Sequence, residues 1–201
     1  MEPKLRPDLP DGAVMDNGMK NQTTSADRFM GRSTIWGKDG EHETPYMTRY
    51  WFGRLRLHIF YRGDQDPDCH DHPWDFWTFP FVPYVEEVVH PDLAFMGREQ
   101  TVVCRSGPMR ANNVVPAWRP TFRPATHTHR VLGPAEFGQG GVVAGHHKGR
   151  PYAIGTRPIV TLVWRSRPKR KWGFLKSRDG KWCWIAWKEY VFRGGKSAPC
   201  E

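Results

Sequence analysis

A chain of 201 residues, 38% of them apolar, is long enough for one ordinary domain whose core stands without disulfides or a structural metal. Ten Trp and eleven Phe supply large burial per residue, which excludes disorder of the whole chain. Thirty Lys plus Arg against 21 Asp plus Glu give a formal charge of +9, which favours anionic partners (nucleic acid, phosphorylated metabolites or carboxylates) without choosing among them.

Residues 1–32 contain Pro3, Pro7, Pro10, Gly12 and Gly18 with little periodicity and read as a flexible N-terminal leader, not a signal peptide. No apolar stretch approaches the ~18–20 residues of a membrane span. From Ser33 the pattern is strand-like. Thr34-Ile35-Trp36 precedes a Gly-Lys-Asp-Gly turn, and Tyr46 to Phe52 and Arg54 to Tyr61 follow. In the last of these, Leu55, Leu57, Ile59 and Tyr61 share one face.

The run from Phe76 to Val89 is aromatic and β-branched, with Pro80 and Pro83 marking an edge, bulge or bend. Short strands are expected again at Thr101 to Cys104, Thr121 to Arg123, His129 to Leu132, Ile159 to Trp164 and Trp182 to Val191. Segment 133–158 carries seven glycines and reads as a long flexible loop of the kind that forms lids, without a phosphate-binding fingerprint. Residues 194–201 form a C-terminal tail. Cys69, Cys104, Cys183 and Cys200 are widely spaced with no Cys-x-x-Cys pair, so they read as free thiols in a reducing cytoplasm. Many short strands with few helices predict an all-β sandwich or barrel over residues 33–193.

The candidate site lies in Cys69-His70-Asp71-His72-Pro73-Trp74-Asp75 and, some fifty residues on, Pro124-Ala125-Thr126-His127-Thr128-His129. Two histidines one residue apart put both imidazoles on the same face of an extended strand, and a third from a distant strand can complete a metal site. His127 has the strand parity of His129 and could replace it as ligand or act as an acid-base residue. Asp75 could orient a ligand histidine through its distal N–H. His58 reads as a core or pocket histidine, and His146-His147 as solvated.

These motifs resemble those of the cupin superfamily, whose first motif opens on His-x-His and whose second is Pro-x-Gly-x-x-His. His70-Asp71-His72 matches the first, and Pro124 to His129 matches the second with Thr126 where Gly usually stands. Phe76 falls at the position of the family's glutamate, and Val82-Pro83-Tyr84 lacks the expected glycine. The wider context, from Leu57-His58-Ile59-Phe60 to Lys171-Trp172-Gly173-Phe174, is similar to small cupin-domain proteins of bacterial and phage genomes, over roughly residues 34–190.

The resemblance implies a jelly-roll-like double-stranded β-helix and a three-histidine centre of the cysteine-dioxygenase-like kind, with His70, His72 and His129 as ligands. Such a centre suits Fe(II), with Zn, Mn, Ni or Co as alternatives. Arg165 to Lys171 places five cations in seven residues. This stretch could bind nucleic acid, form a solvated turn, or send Arg165 to the barrel mouth to clamp an anionic substrate.

Three functions follow as expectations. The first is a non-haem Fe(II) oxygenase acting on a small anionic molecule, with His127, Asp75 and Arg165 as assisting residues. The second is a metal-dependent isomerase or epimerase of a phosphorylated or nucleotide-linked sugar. The third is a non-catalytic cupin that binds nucleic acid or another ligand. A cytoplasmic location, host cytoplasm if the source is viral, and a homodimer complete the expectations.

Overall fold

Alternating sequences dominate this chain, and the computed structural model, which describes residues 29–39, 42–90, 109–138 and 142–200, is built almost wholly from strands. In chain order these are β1 (Met30–Asp39), β2 (His42–Phe52), β3 (Leu55–Phe60), β4 (Cys69–His70), β5 (Phe76–Pro80), β6 (Tyr84–His90) and β7 (Met109–Val115). There follow β8 (Thr121–Arg123), β9 (Thr128–Phe137), β10 (Gly145–His147), β11 (Arg150–Ile154), β12 (Ile159–Arg165), β13 (Gly173–Arg178) and β14 (Lys181–Ala186), and one helix, α1 (Trp187–Phe192).

The strands form two sheets. One runs β1-β2-β3-β12-β5-β8; the other runs β10-β11-β9-β4-β13-β14, with β6 paired to β9 and β7 to β6. Each pairing is antiparallel. The all-β, jelly-roll-like expectation therefore holds, because period-2 patterning lets both sheets bury one face against a shared interior.

Apolar side chains of both sheets pack in the interior. Tyr84, Val115, Val131 and Ile159 form one buried cluster, Ile35, Tyr46 and Met47 a second, and Phe60 packs against both. Burying these apolar and aromatic side chains contributes roughly 1.5–3 kcal/mol each, an upper estimate against a compact unfolded chain. Between the sheets lies a cavity of about 230 Å³ lined by residues of both.

Alternation on β3 turns His58 and Phe60 toward this cavity. Leu55 and its odd-numbered neighbours face outward instead. On that outer face Phe52, Leu55, Trp164, Trp77 and Phe122 stand in one register row, all of them exposed.

Several expectations are corrected. Met30 already lies in β1, inside the expected leader, whereas residues 1–28 and the strand expected at Thr101 to Cys104 lie outside the described residues. Segment 133–158 is not a loop: β9 extends to Phe137, and β10 and β11 form a hairpin on it. Glycine there admits close approach, since a Cβ on Gly145 would sit 2.6 Å from the Tyr152 hydroxyl. Positive φ at Lys148 and Gly149, and again at Asp179 and Gly180 between β13 and β14, is the geometry of two-residue hairpin turns.

The strand expected over Trp182 to Val191 ends at Ala186, and α1 follows. The helical turn brings Tyr190 under Phe174, with ring centroids 3.9 Å apart, and its hydroxyl to Asp66 and Asp68. The reading of four free thiols is corrected as well. Cys183 and Cys200 form a disulfide, Cys69 is free and buried, and Cys104 lies outside the described residues. The C-terminal segment is thereby held on β13, where the ammonium of buried Lys176 donates to the carbonyls of Gly195 and Ala198.

Candidate metal centre

The His-Asp-His segment continues the line of β4 beyond its last paired residue. Asp71 N donates to Gly173 O and His72 N to Ala125 O, both at 3.0 Å, so the chain stays extended through both histidines. Alternation then separates Asp71 from its neighbours. Its carboxylate faces away from the cavity and accepts from Gly173 N (2.7 Å), Arg170 (2.6 Å) and Trp184 Nε1 (3.0 Å). Three donors on one buried carboxylate fix the backbone between His70 and His72 and leave both imidazoles pointing inward.

The third histidine arrives from β9, where His129 is the register partner of His70. His70, His72 and His129 each offer a ring nitrogen, and these atoms lie within 4.8 Å of one another. His72 Nε2 and His129 Nε2 are 2.9 Å apart. That separation matches two nitrogens each about 2.0–2.1 Å from one ion, at an angle near 90°.

The protonation states also suit a metal. His129 Nδ1 lies 2.7 Å from Glu86 Oε2 and donates to it, which leaves Nε2 as a lone pair. Burial, outweighing the attraction of Glu86, pushes the His129 imidazole down to about 4. Burial and then His129 push His72 well below its ordinary value. Both are neutral at pH 7, the form that ligates a cation.

Glu86 is fully buried on β6, and sequence spacing to the histidines does not mark it; the only hint is a carboxylate inside a β-branched run. It accepts from His129, from His127 Nε2 at 3.4 Å, and from the guanidinium of Arg123. Burial works to raise its carboxyl, but the hydrogen bonds from His127 and His129 and the charge of Arg123 outweigh this and hold it well below the usual carboxylate range.

Glu86, His127 and His129 form a second cluster with metal-binding potential. However, the Glu86 oxygens are already engaged, and of this cluster only His129 reaches the cavity, whereas all three histidines of the first cluster line it. The geometry therefore favours His129 as the third ligand, with His127 beside it at a ring distance of 4.7 Å.

The remaining expected site residues are placed as follows. Asp75, expected to orient a ligand histidine, instead accepts from Ala125 N at 2.7 Å and from Lys169, and so ties the two motif loops and the basic segment together. The carboxylate that accepts from a histidine of the cluster is Glu86, on His129. Arg165 lies over Trp74, its guanidinium 4.3 Å from the ring centroid. Within the basic segment, Lys169 pairs with Asp75 and Arg170 with Asp71, so these two exposed cations also hold the motif loops. Trp172 at its end lines the cavity and stacks on Trp187. His146 and His147 lie in β10 and belong to neither cluster.

No family model matches this chain, and no curated protein does. Among solved structures it is similar to Fe(II) HppE, with 12% identity, 79% of this chain and 63% of that one covered, and a TM-score of 0.37. It is also similar to the capsular polysaccharide assembling protein CapF from Staphylococcus aureus, with 11% identity, coverage of 66% and 28%, and a TM-score of 0.34. A third is Drosophila melanogaster CENP-C bound to CAL1, with 9% identity, coverage of 66% and 76%, and a TM-score of 0.34. The chain spans 56–63% of the length of the HppE chains it matches. Among the described residues no helix is long and apolar enough to cross a membrane.

Proposed function

We propose that this chain is a metal-dependent cupin-type oxygenase that holds a divalent ion, Fe(II) foremost, on His70, His72 and His129 and oxidises a small anionic molecule in the adjoining cavity. The observation that carries the reading is the convergence of three cavity-facing histidines, two of them held neutral, on atoms within 4.8 Å of one another. An ion held by three neutral ligands keeps its full charge and has open positions, which suits joint binding of dioxygen and an anionic substrate. The chemistry supplied when the ion is bound is oxygen activation, with both oxygen atoms entering the substrate so that no external reductant is required.

The protein's own residues orient and enclose. Glu86 keeps the His129 proton on Nδ1, and Asp71 anchors the strand that carries the other two ligands. Phe76, Trp172 and Phe174 wall the cavity beside the histidines with aromatic surface.

Isomerisation requires a free acid-base group facing the substrate, and the cavity supplies few. The Asp66 and Asp68 carboxylates accept from Tyr190, and Asp68 also pairs with Arg178; Asp64 accepts from Val131 N. His127 lies outside the lining.

The test is the metal content of anaerobically purified protein beside a His72→Ala variant, followed by oxygen consumption with small organic acids. Near-stoichiometric iron that is lost in the variant is expected. Activity with Zn or Mn and no oxygen requirement would move the assignment to an isomerase, and failure to take up any metal would remove the enzyme reading.

A further inference from the structure

The sheet face formed by β2, β3 and β12 carries three arginines, Arg49, Arg56 and Arg165, that pair with no carboxylate among the described residues. These strands are adjacent, and their register aligns Arg49 with His58 and Arg56 with Val163. Arg49, His58 and Val163 line the cavity, and Arg56 and Arg165, two residues along from His58 and Val163, share their face of the sheet by alternation.

The three guanidiniums are close enough to repel one another. Burial, then the charge of Arg165, lowers the pKa of Arg49, and the same causes together with Arg49 bring Arg56 down to about 10. Their hydrogen bonds go to neutral groups. Arg49 Nε donates to Ser33 Oγ at 2.8 Å, and Arg56 to the carbonyls of Gly53 and Leu55 at 2.6 and 2.9 Å. Arg165 lies on the Trp74 ring, and its buried Nε has no hydrogen-bond partner.

Other arginines contrast with these: Arg110, Arg123, Arg130, Arg170 and Arg178 each pair with an aspartate or glutamate. Among the described residues, no ion pair is formed by Arg49, Arg56 or Arg165. Gathering three part-buried cations without a counter-charge opposes folding, so the arrangement points to a negative group supplied from outside.

We propose that Arg49, Arg56 and Arg165 form a subsite for a doubly charged oxyanion, the phosphate or phosphonate group of a small organic substrate. A dianion balances three cations better than a single carboxylate, and its tetrahedral oxygens accept from several guanidinium forks at once. His58 at the centre adds a donor without adding charge, because burial and then Arg49 and Arg56 push its imidazole down to about 3.

The subsite also lies a short distance from the histidine centre. Arg165 is the register partner of Phe76, whose ring centroid is 4.7 Å from that of His72. A substrate anchored here by its anionic head therefore has room for only a few atoms before it reaches His72, in keeping with a cavity of about 230 Å³. The inference deepens the substrate assignment made above and depends on the cavity being a substrate site. It does not require that any metal be bound.

The test is a calorimetric titration of the metal-free full-length protein with inorganic phosphate at low ionic strength. Saturable binding at one site is expected, weakened at least about tenfold in Arg49→Gln and in Arg165→Gln, with acetate binding at least about tenfold more weakly than phosphate. Arg165→Lys, which keeps the charge, recovers part of the affinity. Arg157→Gln, on the exposed pair with Glu136, leaves it unchanged. Without phosphate, Arg49→Gln and Arg165→Gln melt no lower than the parent, because each relieves repulsion; a purely structural arginine would melt lower.

Absence of saturation, an affinity in the two glutamine variants equal to the parent's, or acetate binding as tight as phosphate overturns the assignment. Because the titration contains no metal, failure to bind iron would sink the oxygenase reading and leave this result standing.

Discussion

Glu86→Gln tests the link between fold and metal centre most directly. The substitution keeps shape and one acceptor but removes the charge that receives His129 Nδ1 at 2.7 Å and pairs with Arg123. Hydrogen bonds to a charged acceptor are roughly twice as strong as neutral ones, and changing a carboxylate behind a ligand histidine typically lowers metal affinity about 10–100-fold, or about 1.4–2.8 kcal/mol. Stability suffers separately. Arg123 is only 16% exposed and loses its partner. Breaking a fully buried pair costs about 3–5 kcal/mol, so about 2–4 is expected here, a large share of a typical total of about 5–15.

The assay is a competition titration of Zn(II) against a chromophoric chelator, beside urea denaturation of the metal-free protein. Affinity within about twofold of the parent would refute the role of Glu86 in holding His129, since the expected loss is at least about tenfold. A far larger loss, matched by His127→Gln while His70→Ala retains metal, would place the ion on the second cluster instead.

Asp71→Asn puts an amide N–H₂ where Gly173, Arg170 or Trp184 donates, so about 1–3 kcal/mol of stability and part of the metal affinity should be lost, as urea denaturation and the same Zn(II) titration would show. Reduction of the Cys183–Cys200 disulfide, which closes a separation of 17 residues, should lower stability by about 3 kcal/mol, measured as the difference between denaturation curves with and without reductant. Acid should destabilise the metal-free protein below the ordinary histidine pKa of about 6.5, because the unfolded chain then binds protons that buried His58 does not accept until about pH 3. In His58→Gln the slope of stability against pH between about 6 and 4 should fall by up to one proton equivalent, and an unchanged slope would refute the burial argument.

The histidines and the strands that carry them are legible in the sequence because both depend on period 2. His70-Asp71-His72 states which side chains share a face, and the pattern around Leu55 to Tyr61 states that a strand exists. Alternation does not say which face turns inward. On β3 the aliphatic set faces out and His58 and Phe60 face the cavity, whose lining is largely apolar and aromatic with a few histidines and charged residues set into it. Glycine content misleads at 133–158, where small residues serve close packing in a hairpin.

By itself the sequence determined the all-β class, the His-x-His pair and a distant second motif with two candidate histidines, His127 and His129, since each follows from local spacing. Only the tertiary structure decided which carboxylate meets His129, that Cys183 meets Cys200, and that Arg49, Arg56 and Arg165 stand on one face of adjacent strands. Glu86 and His129, like Arg49 and Arg165, come from strands far apart in the chain, and Cys200 reaches Cys183 from beyond α1. These placements are set by sheet register and by the hand in which two sheets close on one another, and no local pattern of residues encodes either.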